Sequence, residues 1–160
     1  MNFELTKEFL NDLRSAIKTA DEKFIFEKIS GMHPADIAEI LDEISIEEAR
    51  YLYRLLDEEK AADVLIELEE EVREKFLASL SSKEIAEHFI DNLESDDAAD
   101  VISELPENIK EEVISHIEDV DQASDIVDLL TYEEGSAGAL MAKELIAVQE
   151  NWTILRCIRE

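Results

Sequence analysis

The sequence predicts an all-α fold: a right-handed superhelix (α-solenoid) of about ten short helices over residues 1–131, followed by a small α/β fragment over 132–160. Three observations predict it. Apolar residues recur at the helical period. With 3 Gly and 2 Pro the chain holds too few turn residues for a sandwich or barrel. Short pieces of sequence repeat along it, as in stacked helical units.

Helices are predicted near residues 4–18, 21–29, 34–43, 46–56, 58–69, 70–80, 82–93, 96–105, 107–117 and 121–130. Ile37, Ile40, Leu41 and Ile44 form one stripe of a 3.6-residue helix. Val64, Leu65 and Leu68 form another, as do Val101, Ile102 and Leu105, and Ile126, Val127 and Leu130. Asp, Glu and Lys fill the positions between, as on solvated faces. Pro34 suits a first helical position, where its missing N–H costs nothing. Ser45 with Glu48, and Ser81 with Glu84, have the capping-box spacing. Ser95 precedes Asp96 and Asp97, acids that favour the positive end of a helix. Pro106 ends one helix and starts the next.

Ala61-Ala62-Asp63-Val64 recurs 37 residues later as Ala98-Ala99-Asp100-Val101. A second echo, at 50 residues, relates Ser45, Ala49 and Leu55 to Ser95, Ala99 and Leu105. No pair of such helices can bury its apolar face alone, so stacking must do it. The pattern breaks at Tyr132. Two of the three glycines follow, in Gly135-Ser136-Ala137-Gly138. Leu145-Ile146-Ala147-Val148 is a short β-like run, and Trp152-Thr153-Ile154 a helix start capped by Thr153 or Asn151. A strand and a helix do not stand alone, so this stretch is expected to be the beginning of a further domain.

The 160 residues include 42 acids and 15 Lys or Arg, a formal net charge of −27. Such a surface repels phosphates, which argues against nucleic acid as a partner and for cations and basic surfaces. The hydrophobic fraction of 46% argues against disorder. The single cysteine, Cys157, rules out an internal disulfide and is expected in the core of the further domain. Neither a targeting segment nor an apolar run of about 20 residues is visible, so a soluble cytoplasmic domain is expected.

No catalytic motif emerges, and a non-enzyme is expected. His33, His88 and His116 lie in different repeats, none paired with Ser or Cys in a recognisable motif. His33 before Pro34 reads as a helix-start residue. Gly135-Ser136-Ala137-Gly138 lacks the flanks of a nucleophile elbow and the Lys of a phosphate loop. The carboxylates remain. Asp96, Asp97 and Asp100 sit at one helix start, and Asp63 holds the place of Asp100 in the earlier repeat. Carboxylate oxygens are ligands for hard cations such as Mg²⁺; the competing reading is an ordinary solvated acidic face.

Four motifs carry a resemblance: His33-Pro34-Ala35-Asp36, Lys60-Ala61-Ala62-Asp63-Val64-Leu65, Asp96-Asp97-Ala98-Ala99-Asp100, and Tyr132-Glu133-Glu134-Gly135-Ser136-Ala137-Gly138-Ala139-Leu140-Met141. Together they resemble the cytoplasmic N-terminal domain of the MgtE family of magnesium transporters. The last is similar to that family's junction with a pair of cystathionine-β-synthase (CBS) domains, and Val148 to Ile154 to the first CBS strand and turn.

The resemblance implies a regulatory domain on the cytoplasmic face of the membrane, within a homodimeric transporter. It would dock on the protein's own CBS domains when Mg²⁺ is high and hold the transmembrane pore closed. It implies Asp63, Asp96 and Asp100 as metal ligands, with Asp97 beside them. Gly135 stands where an acid is common in the family, and Ala142 where Thr is usual, so no ligand or hydroxyl contact carries over there. The physics agrees with a bridging ion. Two acidic surfaces repel over a Debye length of about 8 Å. Each cation–carboxylate unit-charge pair at 4 Å gains roughly 4 kcal/mol before desolvation. The alternative is a protein-docking α-solenoid adaptor with no metal role, similar to the armadillo-like modules of bacterial motor switch proteins; it leaves the 132–141 motif unexplained.

Overall fold

The computed structural model describes residues 5–133, 135–144, 148–149 and 152–157. Among them it holds eleven α-helices and no strand. The first ten are α1 (Lys7–Thr19), α2 (Glu22–Ile29), α3 (Pro34–Asp42), α4 (Ile46–Tyr53), α5 (Glu58–Glu67), α6 (Glu70–Leu77), α7 (Ser82–His88), α8 (Ser95–Ser103), α9 (Glu107–His116) and α10 (Val120–Leu129). The short α11 (Ile154–Cys157) follows directly after Thr153. The strand expected at 145–148 lies largely outside the described residues.

Local chemistry fixes the helix starts. Pro34 is the first residue of α3, and the His33 ring before it accepts a hydrogen bond from Ala35 N at 3.3 Å. Both expected capping boxes close: Ser45 with Glu48, and Ser81 with Glu84. In each, the Ser oxygen accepts from the backbone three residues on, while the Glu carboxylate accepts from the Ser N–H. Pro106 stands just outside α9 as its N-cap residue rather than inside it.

Several expected bounds differ: α1 starts at Lys7 rather than near 4, and α4 and α6 stop at Tyr53 and Leu77 rather than near 56 and 80. Ser95 is the first residue of α8, not its cap, and Glu94 before it makes no capping bond. The helix expected over 82–93 stops at His88. Phe89 leaves the helical region (φ −123°, ψ −62°), and a 3₁₀ turn covers Ile90–Asn92. That break lets Phe89, Ile90 and Leu93 all be buried. It also brings the Phe89 ring edge-on to Tyr53 and Phe76.

Beyond α1, which packs on α2 and α4, helices pack on their second neighbours: α3 on α5, α5 on α7, α7 on α9, and likewise α4 on α6 and α8 on α10. The repeating unit is thus a helix pair. Its odd members start at Pro34, Glu58, Ser82 and Glu107, and its even members at Glu22, Ile46, Glu70, Ser95 and Val120, each 24 or 25 residues after the last. The 50-residue echo spans two units. The 37-residue echo spans one and a half, and so relates an odd helix to an even one. One continuous core runs through the stack, with Leu13, Ile25, Ile37, Leu52, Leu65, Phe76, Ile85, Ile102, Val113 and Ile126 among its buried members.

Side chains staple neighbouring units across about thirty residues. Arg14 Nη2 donates to Glu43 O (2.6 Å), and Lys60 Nζ to Ser30 O (2.7 Å). Gln122 Nε2 donates to Ile90 O and Leu93 O, covering carbonyls of the 3₁₀ turn. Apart from the bond to Ile90 O, which also accepts from Leu93 N, these bonds satisfy helix-end carbonyls that lack an intrahelical partner. They are the stacking contacts in polar form.

Candidate metal centre

The site is built at the start of α8. Glu94 supplies no cap, so the end of the helix is open to another acceptor. Glu144, far along the chain, fills that role. Ser95 N donates to Glu144 Oε1 at 2.9 Å and Ser95 Oγ to Oε2 at 3.0 Å. Lys143 N in turn donates to Ser95 Oγ at 3.1 Å. A carboxylate here sits at the positive pole of the helix, which favours it. Ser95 is fully buried beneath this contact, at 0% exposure. Lys143 Nζ also pairs with Asp128 of α10, so residues 143–144 are tied to two helices at once.

The segment leading to Glu144 is shaped by its glycines. Gly135 has φ +74°, the left-handed region that a side chain disfavours. At Gly138 an added Cβ would stand 2.3 Å from a carbon of the Tyr132 ring, so only a glycine lets the ring lie there. Turn bonds from Ser136 N to Glu133 O and from Leu140 N to Ser136 O carry the chain around.

This folding gathers acids. Carboxylate oxygens of Glu94, Asp96 and Glu144 lie within 4.8 Å of one another. Asp96 Oδ1 is buried and has no hydrogen-bond partner. Asp97 is half-buried, and its carboxyl is pushed above the ordinary aspartate value. Burial is the main cause, followed by the charges of Asp96, Asp100, Glu94 and Asp63. All four sequence-predicted acids therefore share one electrostatic field. Asp63 on α5 and Asp100 on α8 are exposed, while Asp96 and Asp97 are half-buried. The tight triad holds only Asp96 of the four; its partners Glu94 and Glu144 were missed from sequence. Glu94 extends the acid run that leads into Asp96 and Asp97, a signal that was present. Glu144 gave none, being 49 residues from its partner Ser95.

The donor set is oxygen only, with one buried oxygen lacking any partner, which fits a hard divalent cation. Glu94 and Glu144 also border a cleft of about 550 Å³ with Asp91, Glu118 and Asp119. Burial pushes the Asp91 carboxyl up, against the hydrogen bond it accepts from Glu118 N; the charges of Glu118, Glu87 and Asp119 add to the rise. The three histidines stay apart from the triad. His33 caps α3, His116 ends α9, and His88 Nδ1 stands 3.7 Å from Glu58. Cys157 is half-buried on α11.

The sign of the Asp97 shift gives a test. Its native pKa lies above the unfolded value, so the native state binds the extra proton. Stability should therefore fall as pH rises from 3.8 through the native value, and stay lower above it. Asp97→Asn is expected to raise the melting temperature at pH 7 and to leave it unchanged at pH 3. A variant less stable than wild type at pH 7 would show that the Asp97 charge is stabilising instead.

A stack of short helix pairs with an acid cluster at one helix start, tied to the segment that follows, defines an all-helical domain with an acidic face. The chain belongs to the MgtE intracellular N domain family, whose family model matches residues 32–135. Among solved structures it resembles the soluble part of a magnesium transporter, 22% identical with a TM-score of 0.81, over 96% of this chain and 60% of that one. It also resembles the cytosolic domain of the Mg²⁺ channel MgtE in complex with ATP, 28% identical with a TM-score of 0.76, over 94% of this chain and 61% of that one. The chain thus spans about 60% of the length of these structures. No curated protein matches it. Among the described residues no helix is long and apolar enough to cross a membrane.

Proposed function

We propose that the chain is the cytosolic Mg²⁺-sensing domain of a magnesium transporter or channel. In this reading the helix pairs form a right-handed superhelix over residues 1–131, and 132–160 are the junction and the start of a CBS domain. Mg²⁺ held between Asp63, Asp96, Asp97 and Asp100 and acids of the CBS domains closes the transmembrane pore, in a homodimer at the cytoplasmic membrane face. One observation carries the reading: the charges of Asp63, Asp96 and Asp100 add to the burial that raises Asp97, and Asp96 joins an acid triad in which its own buried carboxylate oxygen has no partner. Mg²⁺ keeps most of its waters, so one or two carboxylates from each side suffice. The adaptor alternative gives no reason for clustering these acids.

The ion binds the docked state better than the undocked one, and that difference drives the shift in population. The test uses this chain joined to its CBS domains. Protease cleavage within 130–140 is followed against MgCl₂, and against NaCl at matched ionic strength. Protection is expected with MgCl₂ alone. Asp63→Ala, Asp96→Ala or Asp100→Ala should each move its midpoint upward by about fivefold or more, with little loss of fold stability. Equal protection by NaCl, or wild-type midpoints in the Asp96 and Asp100 variants, would reduce these residues to a solvated acidic face.

A further inference from the structure

Away from the acids, a cavity of about 280 Å³ opens at the corner where α4, α5, α6 and α7 meet. Its floor is aromatic. Tyr53, Phe76 and Phe89 are all buried; Tyr53 stacks on Phe76 at 4.3 Å, and Phe89 meets both edge-on at 5.6 and 5.9 Å. Leu56 and Leu80 form its walls. The rim carries charge: Arg50, Arg54 and His88, with Glu58 and Glu84.

The rim acids are already engaged. Glu84 accepts from Ser81 N and Oγ at 2.9 and 2.8 Å, closing the cap of α7. Glu58 lies 3.7 Å from His88. The rim arginines are less committed: beyond the Ser81 bonds, the charge of Arg50 helps hold the Glu84 carboxyl below the ordinary glutamate value, but without direct contact. Among the described residues, Arg14 and Arg73 sit on Glu48 and Glu104, and Arg156 lies over the Trp152 ring. Arg50 and Arg54 have neither a hydrogen bond nor an ion pair there. In a chain with 42 acids, two guanidinium groups thus stand at an apolar hole with no carboxylate bonded to them among the described residues. A guanidinium fork matches a carboxylate or a phosphate. A concave apolar floor with a few polar groups at its mouth is the form of a small-molecule site, and this volume lies just below the usual range, so only a compact ligand fits.

We propose that this cavity binds a small organic anion: one carboxylate or phosphate group, held by Arg50 and Arg54, on a compact apolar body seated over Tyr53, Phe76 and Phe89. The site is independent of the metal centre and of the Mg²⁺ reading. The chain's net charge opposes anions at long range, so affinity must come from contact inside the cavity. That requirement separates the site from a loose surface anion contact.

The test is a titration of the ¹⁵N-labelled 160-residue chain, read by backbone amide shifts. The probes are benzoate and phenyl phosphate, with benzyl alcohol, benzylammonium and inorganic phosphate as controls. Both aromatic anions should saturate shifts in residues 50–58 and 76–89, and all three controls should bind at least tenfold more weakly. The Arg50→Gln/Arg54→Gln double variant should lose at least tenfold in anion affinity. Leu80→Phe, which fills the cavity and leaves both charges in place, should lose as much. It decides the matter if the double variant is unfolded by circular dichroism. Equal binding of benzyl alcohol would leave only an apolar hole, and equal binding of inorganic phosphate only a surface contact. Either result, or shifts without saturation, overturns the proposal.

Discussion

Phe76→Ala should lower the stability of the helical stack by about 3–5 kcal/mol, the range for truncating a large buried aromatic. Phe76 is 1% exposed and is among the largest fully buried side chains. It stacks on Tyr53 of α4 and meets Phe89, just after α7, edge to face, so its loss empties the contact among α4, α6 and the end of α7. The cavity of about 280 Å³ already borders this ring, so the hole left would join an existing void rather than collapse. A urea titration followed by far-UV circular dichroism measures the loss. Phe76→Leu should cost less, because it keeps most of the buried volume. A loss below about 1 kcal/mol for Phe76→Ala would mean that the ring cluster is not the packing centre of the stack.

Arg73→Ala should cost about 2–4 kcal/mol, because it strands a partly buried carboxylate and two helix-end carbonyls. Arg73 Nε and Nη2 both donate to the Glu104 carboxylate, at 2.9 and 2.5 Å. Nη1 reaches Ile66 O at 3.0 Å and Leu68 O at 3.4 Å, at the end of α5. One guanidinium thereby ties α6 to the C-terminal ends of α5 and α8. The two side chains are only 15% and 18% exposed, so solvent replaces little of what is lost. Arg73→Lys keeps the charge but not the fork, and should fall well short of wild type. Replacing both partners by Met should recover most of the loss, since no charge is then left stranded. If Arg73→Ala and the double variant were equally unstable, packing by the arginine stem rather than the ion pair would explain the loss.

The helix starts were legible in the sequence because their chemistry is local. Ser45 with Glu48, and Ser81 with Glu84, need only a three-residue reach, and His33-Pro34 needs less. The acid-rich start of α8 was visible for the same reason, and with it Asp96, Asp97 and Asp100 as one group. The repeat was harder to read. The 37-residue echo follows composition, whereas the 24- or 25-residue unit follows which helix lies against which. Helix 82–93 was read through its break because local periodicity does not register that Phe89 is drawn to rings more than ten residues away.

By itself, then, the sequence determined the helical class, the places where helices begin, the family resemblance and the excess of acid, since each depends on neighbours within a turn or on total charge. Only the tertiary structure decided that Glu144 caps α8 beside Glu94 and Asp96, that Asp63 acts on Asp97, and that Arg73 closes the ends of two helices. Except for the reach of Arg73 back to α5, those contacts join residues about 30 to 50 positions apart. Their partners are chosen by how amphipathic faces stack to leave water, and that choice leaves no mark in the spacing of the side chains that come to meet.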